Sequence, residues 1–363
     1  MQSNEIAITY GTDPVAMTKE LLERVALADR IPQGARIGLK PNLVVAKPSE
    51  TGATTSPKMV AGLIEYLQEH GRRNLLILEG SWVGDSTRRA YEVCGYNALA
   101  KRYGVDILDT KQDRYITRSY DGLTMQISRQ AAEIEFFINL PVLKGHCQTM
   151  VTGALKNMKG CLSDQEKRHF HSLGLHHPIA VLNKILRQDF ILVDSLCGDL
   201  DFEEGGNPVV SNRIFCGLDP VLIDSYIASQ MGYEPEEIDY IRFAAELGVG
   251  SDRLEEAQFT VLHKEEALPR PTPSRRVKRL AAAIEEHDAC SACYASLIRA
   301  LHRLDGENGL QDFLRNPVLI GQGCKGMQGG GTGVGNCTKG LAKSCPGCPP
   351  SAADVYRFLS EQV

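Results

Sequence analysis

Over its first 265 residues or so the chain alternates short apolar, β-branched runs with amphipathic helical stretches, and this alternation leaves few architectures open to it. Strands are predicted at Ile6–Tyr10, Arg36–Leu39, Leu75–Leu78, Val105–Leu108, Phe136–Leu140, Phe190–Val193 and Arg213–Cys216. Runs such as Leu75-Leu76-Ile77-Leu78 are apolar on both faces, as central parallel strands must be. Between the strands, Met59, Val60, Leu63, Ile64 and Leu67 recur at helical spacing, with Ser56 as cap, Pro57 as first residue and Gly71 as stop. A second helical pattern runs from about Ser86 to Tyr103. A third starts at Pro178 and uses Ile179, Leu182 and Leu186. The expected fold class is α/β: a mostly parallel sheet with crossover helices.

The composition changes at Pro269-Arg270-Pro271-Thr272-Pro273-Ser274-Arg275-Arg276, a proline-rich basic stretch that reads as a linker. The expected organisation is an α/β domain over 1–265, a linker over 266–280 and a small cysteine-rich metal-binding domain over 281–363. Net charge is −5, so no broad basic surface argues for nucleic acid. No apolar run approaches the ~20 residues of a membrane span. The N-terminus lacks a basic stretch followed by an apolar one, so a cytoplasmic location is expected. That compartment keeps thiols reduced, which argues against a disulfide framework for the 11 cysteines.

Six of those cysteines crowd the last quarter of the chain. Cys290-Ser-Ala-Cys293 opens a helix whose apolar stripe is Leu297, Leu301 and Leu304. A glycine-rich loop runs from Gly321 to Cys337 and carries Cys324. Glycines let a backbone come close to a bulky inorganic group and point N–H donors at its sulfur. Cys345-Pro-Gly-Cys348-Pro-Pro then leads into a helix, with Ser351 and Asp354 as its capping box. A [4Fe–4S] cluster is the expected cofactor, and zinc held by two close cysteine pairs is the alternative. A cluster needs four ligands: Cys290, Cys293, Cys337 and Cys348 are the favoured set, with Cys324 and Cys345 as alternates.

Three polar motifs follow predicted strands: Lys40-Pro41-Asn42, Lys144-Gly145-His146 and Lys156-Asn157-Met158-Lys159-Gly160. Ligands of open α/β sheets bind beyond the carboxyl ends of strands, and lysines gathered there suit phosphate or carboxylate groups. Lys40, Asn42, Lys144, Lys156, Asn157 and Lys159 are therefore the candidate binding residues. His146 and His177 are candidate proton carriers. His177 belongs to His169-Phe-His171-Ser-Leu-Gly-Leu-His176-His177, a run dense enough for metal binding or acid–base work and equally readable as surface histidines. Asp194 is the third catalytic candidate, because it is expected to end the strand Phe190–Val193 and face the crevice. Asp219 reads as a helix cap ahead of Pro220. Glu79-Gly80-Ser81-Trp82-Val83-Gly84-Asp85 is only loosely like a phosphate-binding loop.

These motifs resemble the bacterial and archaeal family called domain of unknown function 362. The likeness rests on Gly38-Leu39-Lys40-Pro41-Asn42, on Asn139-Leu-Pro-Val-Leu-Lys-Gly-His146 and on Thr152 to Gly160. It continues through Val193-Asp194 and Gly217-Leu-Asp219-Pro-Val-Leu-Ile-Asp224. Gly145 departs from the pattern, which has threonine there. The resemblance implies an iron–sulfur protein and leaves the reaction open. Gly347-Cys348-Pro349-Pro350 is similar to a cluster-binding segment in small subunits of hydrogenases and of the respiratory NADH–quinone reductase.

The leading expectation is a cytoplasmic, redox-active iron–sulfur protein, with an oxidoreductase as the enzyme class it points toward. Its α/β domain would take an anionic small molecule, and its cluster would serve that ligand or an electron-transfer protein partner. The alternatives are a non-redox isomerase, lyase or ligase-like enzyme with a structural cluster or zinc, and a binding module that senses ligand or redox state.

Overall fold

The computed structural model of the chain describes residues 1–269 and 275–363. Most of the proline-rich basic stretch, residues 270–274, lies outside the described residues. The chain divides into two compact units. The first comprises Met1–Gly145, Val151–Lys167 and His176–Pro273. The second comprises His146–Met150, Arg168–Leu175 and Ser274–Val363.

In chain order the strands of the first part are β1 (Glu5–Tyr10), β2 (Ile37–Pro41), β3 (Leu75–Glu79), β4 (Asp106–Asp109), β5 (Tyr115–Tyr120), β6 (Leu123–Ser128), β7 (Phe136–Leu140), β8 (Lys144–His146), β9 (Met150–Thr152), β10 (Phe190–Asp199), β11 (Pro208–Gly217) and β12 (Gln258–Leu262). Eight of them form one sheet in the order β12-β1-β11-β10-β7-β2-β3-β4. Only β11 runs antiparallel to its neighbours, β1 and β10; the other pairings are parallel. The sheet is thus mostly parallel, and β2, β3 and β7 are buried along their whole length. Helices such as Pro14–Val25 and Pro57–Glu69 cover it, burying Leu21, Leu22, Leu63, Ile64 and Leu67 against Ile37, Leu39 and Ile138. β5 and β6 form a separate hairpin.

Several local expectations need correction. The pattern from Ser86 to Tyr103 is two helices, Thr87–Val93 and Tyr96–Tyr103, because Gly95 adopts a left-handed φ of 79° between them. The histidine-dense run is helical on both sides, over Asp164–Ser172 and His176–Ile185, so His177 sits in a first turn rather than ahead of one. β10 does not stop at Val193; pairing with β11 carries it on to Asp199, with a bulge between Ser195 and Cys197.

The second unit carries a parallel sheet of Ile284–Glu286, Val318–Ile320, Gly329–Val334 and Leu341–Cys345. Part of the expected glycine loop is therefore strand. The helix Ser291–Gly306 buries Leu297, Leu301 and Leu304, and the helix Ala352–Ser360 buries Val355 and Leu359. Arg303 lies 3.8 Å over the Tyr356 ring and joins these two helices on their outer side. Ser351 Oγ accepts from Asp354 N at 3.1 Å, capping the second helix.

Candidate functional site

The carboxyl ends of β2, β3 and β7 converge on a buried polar cluster in the first unit. Lys40 and Asn139 are register partners on β2 and β7, and Glu79 closes the adjacent β3. Lys40 Nζ bonds Glu79 Oε2, Pro41 O at 3.1 Å and Asn157 Oδ1 at 3.3 Å. Asn42 Nδ2 donates to Asn157 Oδ1 at 3.0 Å, and Asn157 Nδ2 donates to Asn139 Oδ1 at 2.7 Å. Asn139 continues inward to Gln188 Oε1 at 2.6 Å. Each buried amide thus has its dipoles matched, as a dry site requires.

Lys144 Nζ donates to Asn42 Oδ1 at 2.9 Å, to Glu203 O at 2.8 Å and to Ala53 O. An ammonium has three donors, so the contacts above use all those of Lys40 and of Lys144. These two lysines brace the site. Lys156 Nζ reaches the Glu203 carboxylate at 2.8 Å. Burial pushes the Lys144 ammonium down to about 7; Glu203 opposes that shift and Lys156 reinforces it. Lys159 is half-buried as a residue, but its ammonium is desolvated and falls well below the usual lysine range, with Lys156 adding like-charge repulsion. Lys167 is pushed down to about 8 by burial, and its Nζ donates to Gly80 O at 2.7 Å and Ser81 O at 2.8 Å. The segment after Glu79 therefore turns carbonyls toward a lysine at these two residues, which is the opposite of a phosphate-binding loop.

Two glycines make the crowding possible. A Cβ on Gly160 would collide with Glu79 and Lys40. A Cβ on Gly145 would lie 2.5 Å from the carbonyl carbon of Asp201, so the threonine of the family pattern does not fit beneath the 200–207 loop. The departure at Gly145 thus accompanies the close seat that brings Glu203 O to Lys144.

The other candidates have different surroundings. Asp194 lies mid-strand, and its carboxylate accepts from Ser56 N at 2.6 Å and Leu196 N at 2.9 Å. It ties the start of a helix to β10, and burial pushes it up to about 6. His177 Nε2 meets Asp121 Oδ2 at 2.8 Å, and its ring stands edge-on to Phe243; neither partner belongs to the lysine cluster. His146 is buried in the second unit, where its Nδ1 accepts from Gln148 N and Thr149 N, both at 3.0 Å. A neutral His146 therefore carries its proton on Nε2. Asp219 caps the helix Pro220–Gln230 through Val221 N at 2.8 Å and Leu222 N at 3.1 Å.

Sequence reasoning missed Glu203, Lys167 and the bracing role of Asp224. Asp224 Oδ1 and Oδ2 accept from Ala154 N and Leu155 N at 2.5 and 3.1 Å, so it fixes the segment that carries Lys156, Asn157 and Lys159. The acidic run Asp199-Leu-Asp201-Phe-Glu203-Glu204 before Gly205-Gly206 was the available signal for Glu203. Lys167 lies in a charged helical run that looks solvent-facing and gave none.

In the second unit, Cys337 and Cys348 lie near enough to act on Cys290 and Cys293. Burial raises Cys290, and Cys337 and Cys348 add to the rise. Burial pushes Cys293 up to about 12, with Cys290, Cys348 and Cys337 as further causes. Cys324 and Cys345 are more buried, and burial raises both; Cys337 adds to the rise at Cys324 and Asp354 to that at Cys345. Gly335, at φ 94°, would place a Cβ 3.7 Å from Cys293 Sγ. Asn336 N donates to Gly347 O at 2.9 Å, and Gly347 N donates to Asn336 Oδ1 at 2.8 Å, which clamps the loop bearing Cys337 to the turn bearing Cys348. Among the described residues, no three histidine, cysteine, aspartate or glutamate side chains are grouped to hold a single metal ion.

A family model described as "Domain of unknown function (DUF362)" matches residues 37–229, more than half of the chain. The chain belongs to that family. The match contains the whole lysine–asparagine cluster and ends before the C-terminal cysteines, so the polar cluster is the DUF362 part of the protein. The chain is 25% identical over 266 residues to thylakoid-associated protein sll1697 of Synechocystis sp. (strain ATCC 27184 / PCC 6803 / Kazusa), covering 70% of this chain and 81% of that one. Among solved structures it is similar to the lactate racemase apoprotein from Thermoanaerobacterium thermosaccharolyticum, with TM-score 0.38 and 15% identity over 68% of this chain. The chain spans 57% of that protein, and a likeness this loose carries no argument. Among the described residues no helix is long and apolar enough to cross a membrane.

Proposed function

We propose that this DUF362 protein is a cytoplasmic, redox-active iron–sulfur protein whose α/β unit binds an anionic small molecule. The observation that carries the reading is the clamp between Asn336 and Gly347, which joins the Cys337 loop to the Cys348 turn, with Cys290 and Cys293 near enough for Cys337 and Cys348 to raise both thiols. These four are the proposed ligands of a [4Fe–4S] cluster. The donor set fits: thiols for iron, glycine backbone at Gly335 beside Cys293, and the Gln322 Nε2 donor 3.7 Å from Cys290 Sγ. Such a cluster supplies one-electron chemistry, to the bound ligand or to a protein partner.

The anion reading rests on charge. Lys40 is neutralised by Glu79, whereas Lys144, Lys156 and Lys159 share the single carboxylate of Glu203 among the acids that act on them most strongly. Lys156 depresses both other lysines, and an added anion relieves that repulsion. Lys156 and Lys159 would hold the ligand, with Lys144 and Asn42 bracing them.

Anaerobic purification with iron, sulfide and EPR analysis tests the cofactor. The expected result is a brown protein with iron and acid-labile sulfide at cluster stoichiometry and an EPR signal on reduction. A colourless protein carrying stoichiometric zinc would sink the proposal.

A further inference from the structure

Glu203 stands among the lysines as a ligand would. Its carboxylate is 2.8 Å from Lys156 Nζ. It is also the acid that most strongly favours the charged forms of Lys144 and Lys159. The main chain around it is tied down. Glu203 O accepts from Lys144 and Glu204 O from Lys47, both at 2.8 Å. The Asp199 carboxylate takes the N–H groups of Asp201, Phe202 and Asn207 at 2.9 to 3.0 Å. The side chain, by contrast, ends at the solvent edge and is 25% exposed.

We propose that the anion taken by this unit is a carboxylic acid, and that Glu203 is its internal stand-in, filling the Lys156 position until the acid displaces it. This inference deepens the anion reading above and rests on it. The incoming carboxylate repeats the planar two-oxygen geometry at Lys156, and Glu203, tethered at the solvent edge, remains beside the lysines, so their surplus positive charge is met by one further anion. No backbone has to move, because the anchored loop keeps its place while a side chain already 25% exposed turns to water. Phosphate would bring a tetrahedral group and a second charge to a position fitted to a planar monoanion. A tethered carboxylate competes at a high effective concentration, so Glu203 weakens the affinity of any acid for the resting protein.

Calorimetric titration of the full chain tests this, with acetate and inorganic phosphate as probes. Acetate corresponds to the fragment that Glu203→Ala deletes. Acetate is expected to bind the wild type weakly and Glu203→Ala roughly tenfold more tightly, about 1.4 kcal/mol. Adding Lys156→Gln to Glu203→Ala should remove that gain. Glu203→Gln keeps the side-chain shape and should move in the same direction if the alanine variant does not fold. Equal acetate affinity in wild type and both variants overturns the stand-in. Binding to Glu203→Ala with none to the wild type overturns it too, since acetate then only fills a hole. Phosphate binding more tightly than acetate throughout overturns the carboxylate class and leaves the anion reading intact. Binding of neither probe to any variant overturns the anion reading itself.

Discussion

Lys40 and Glu79 form a buried ion pair across the carboxyl ends of the adjacent parallel strands β2 and β3, and Gly160 packs directly over it. Removing one member strands the other charge without water. Lys40→Met or Glu79→Leu alone should cost about 3–5 kcal/mol in urea unfolding. The double variant Lys40→Met/Glu79→Leu should recover much of that loss, since apolar groups of similar volume replace a buried pair with little penalty. A double variant no more stable than either single would show that the pair is worth more than its desolvation.

Lys144 links ligand affinity to pH. Its ammonium titrates near 7 because burial disfavours the charge. An anion favours the protonated form, so binding takes up a proton at and above that pH. Affinity for acetate should be level from about pH 6 to 7 and fall above it, by at most about tenfold per pH unit. Titrations in two buffers of different ionisation enthalpy check the proton uptake. Affinity that rises above pH 7 would contradict the assignment.

The proposed cluster divides the six C-terminal cysteines into two classes. Cys290→Ser, Cys293→Ser, Cys337→Ser and Cys348→Ser should each lower iron and sulfide content and abolish or alter the EPR signal. Cys324→Ala and Cys345→Ala should keep the cluster and cost about 0.5–3 kcal/mol of stability, as ordinary losses of buried side chains do. Iron analysis and EPR of the six variants separate the classes.

Asp224 holds the start of the segment at Ala154 and Leu155, yet burial pushes its carboxyl up to about 7 from 3.8. A carboxyl raised on folding binds more protons in the native state. Its contribution is therefore greatest below about pH 4 and declines as pH rises toward 7. Asp224→Asn lacks this titration and also turns an amide N–H toward a backbone N–H. Its deficit against wild type should be largest at acid pH and narrow by pH 7. Urea midpoints of both proteins at pH 4.5, 6 and 7.5 check this sign.

The α/β class, seven of the eight strands of the main sheet and the grouping of six cysteines in the tail follow from local pattern, because period and spacing are properties of the chain alone. The helix caps at Ser56, Asp219 and Ser351 follow for the same reason: a cap is a contact between near neighbours. The state of the lysines does not follow. Lys40 meets Glu79 across 39 positions, Lys144 meets Asn42 across 102, and Lys156 meets Glu203 across 47. No period encodes such meetings, so the sequence offered equivalent lysines and the fold set the bracing Lys40 and Lys144 apart from Lys156 and Lys159, the pair proposed to hold the ligand. Asp194 changed its place in the same way, from a strand end to mid-strand, because β11 returns alongside β10 and extends it. Spacing chose the residue types; only tertiary structure decided which charges are already answered from within the chain.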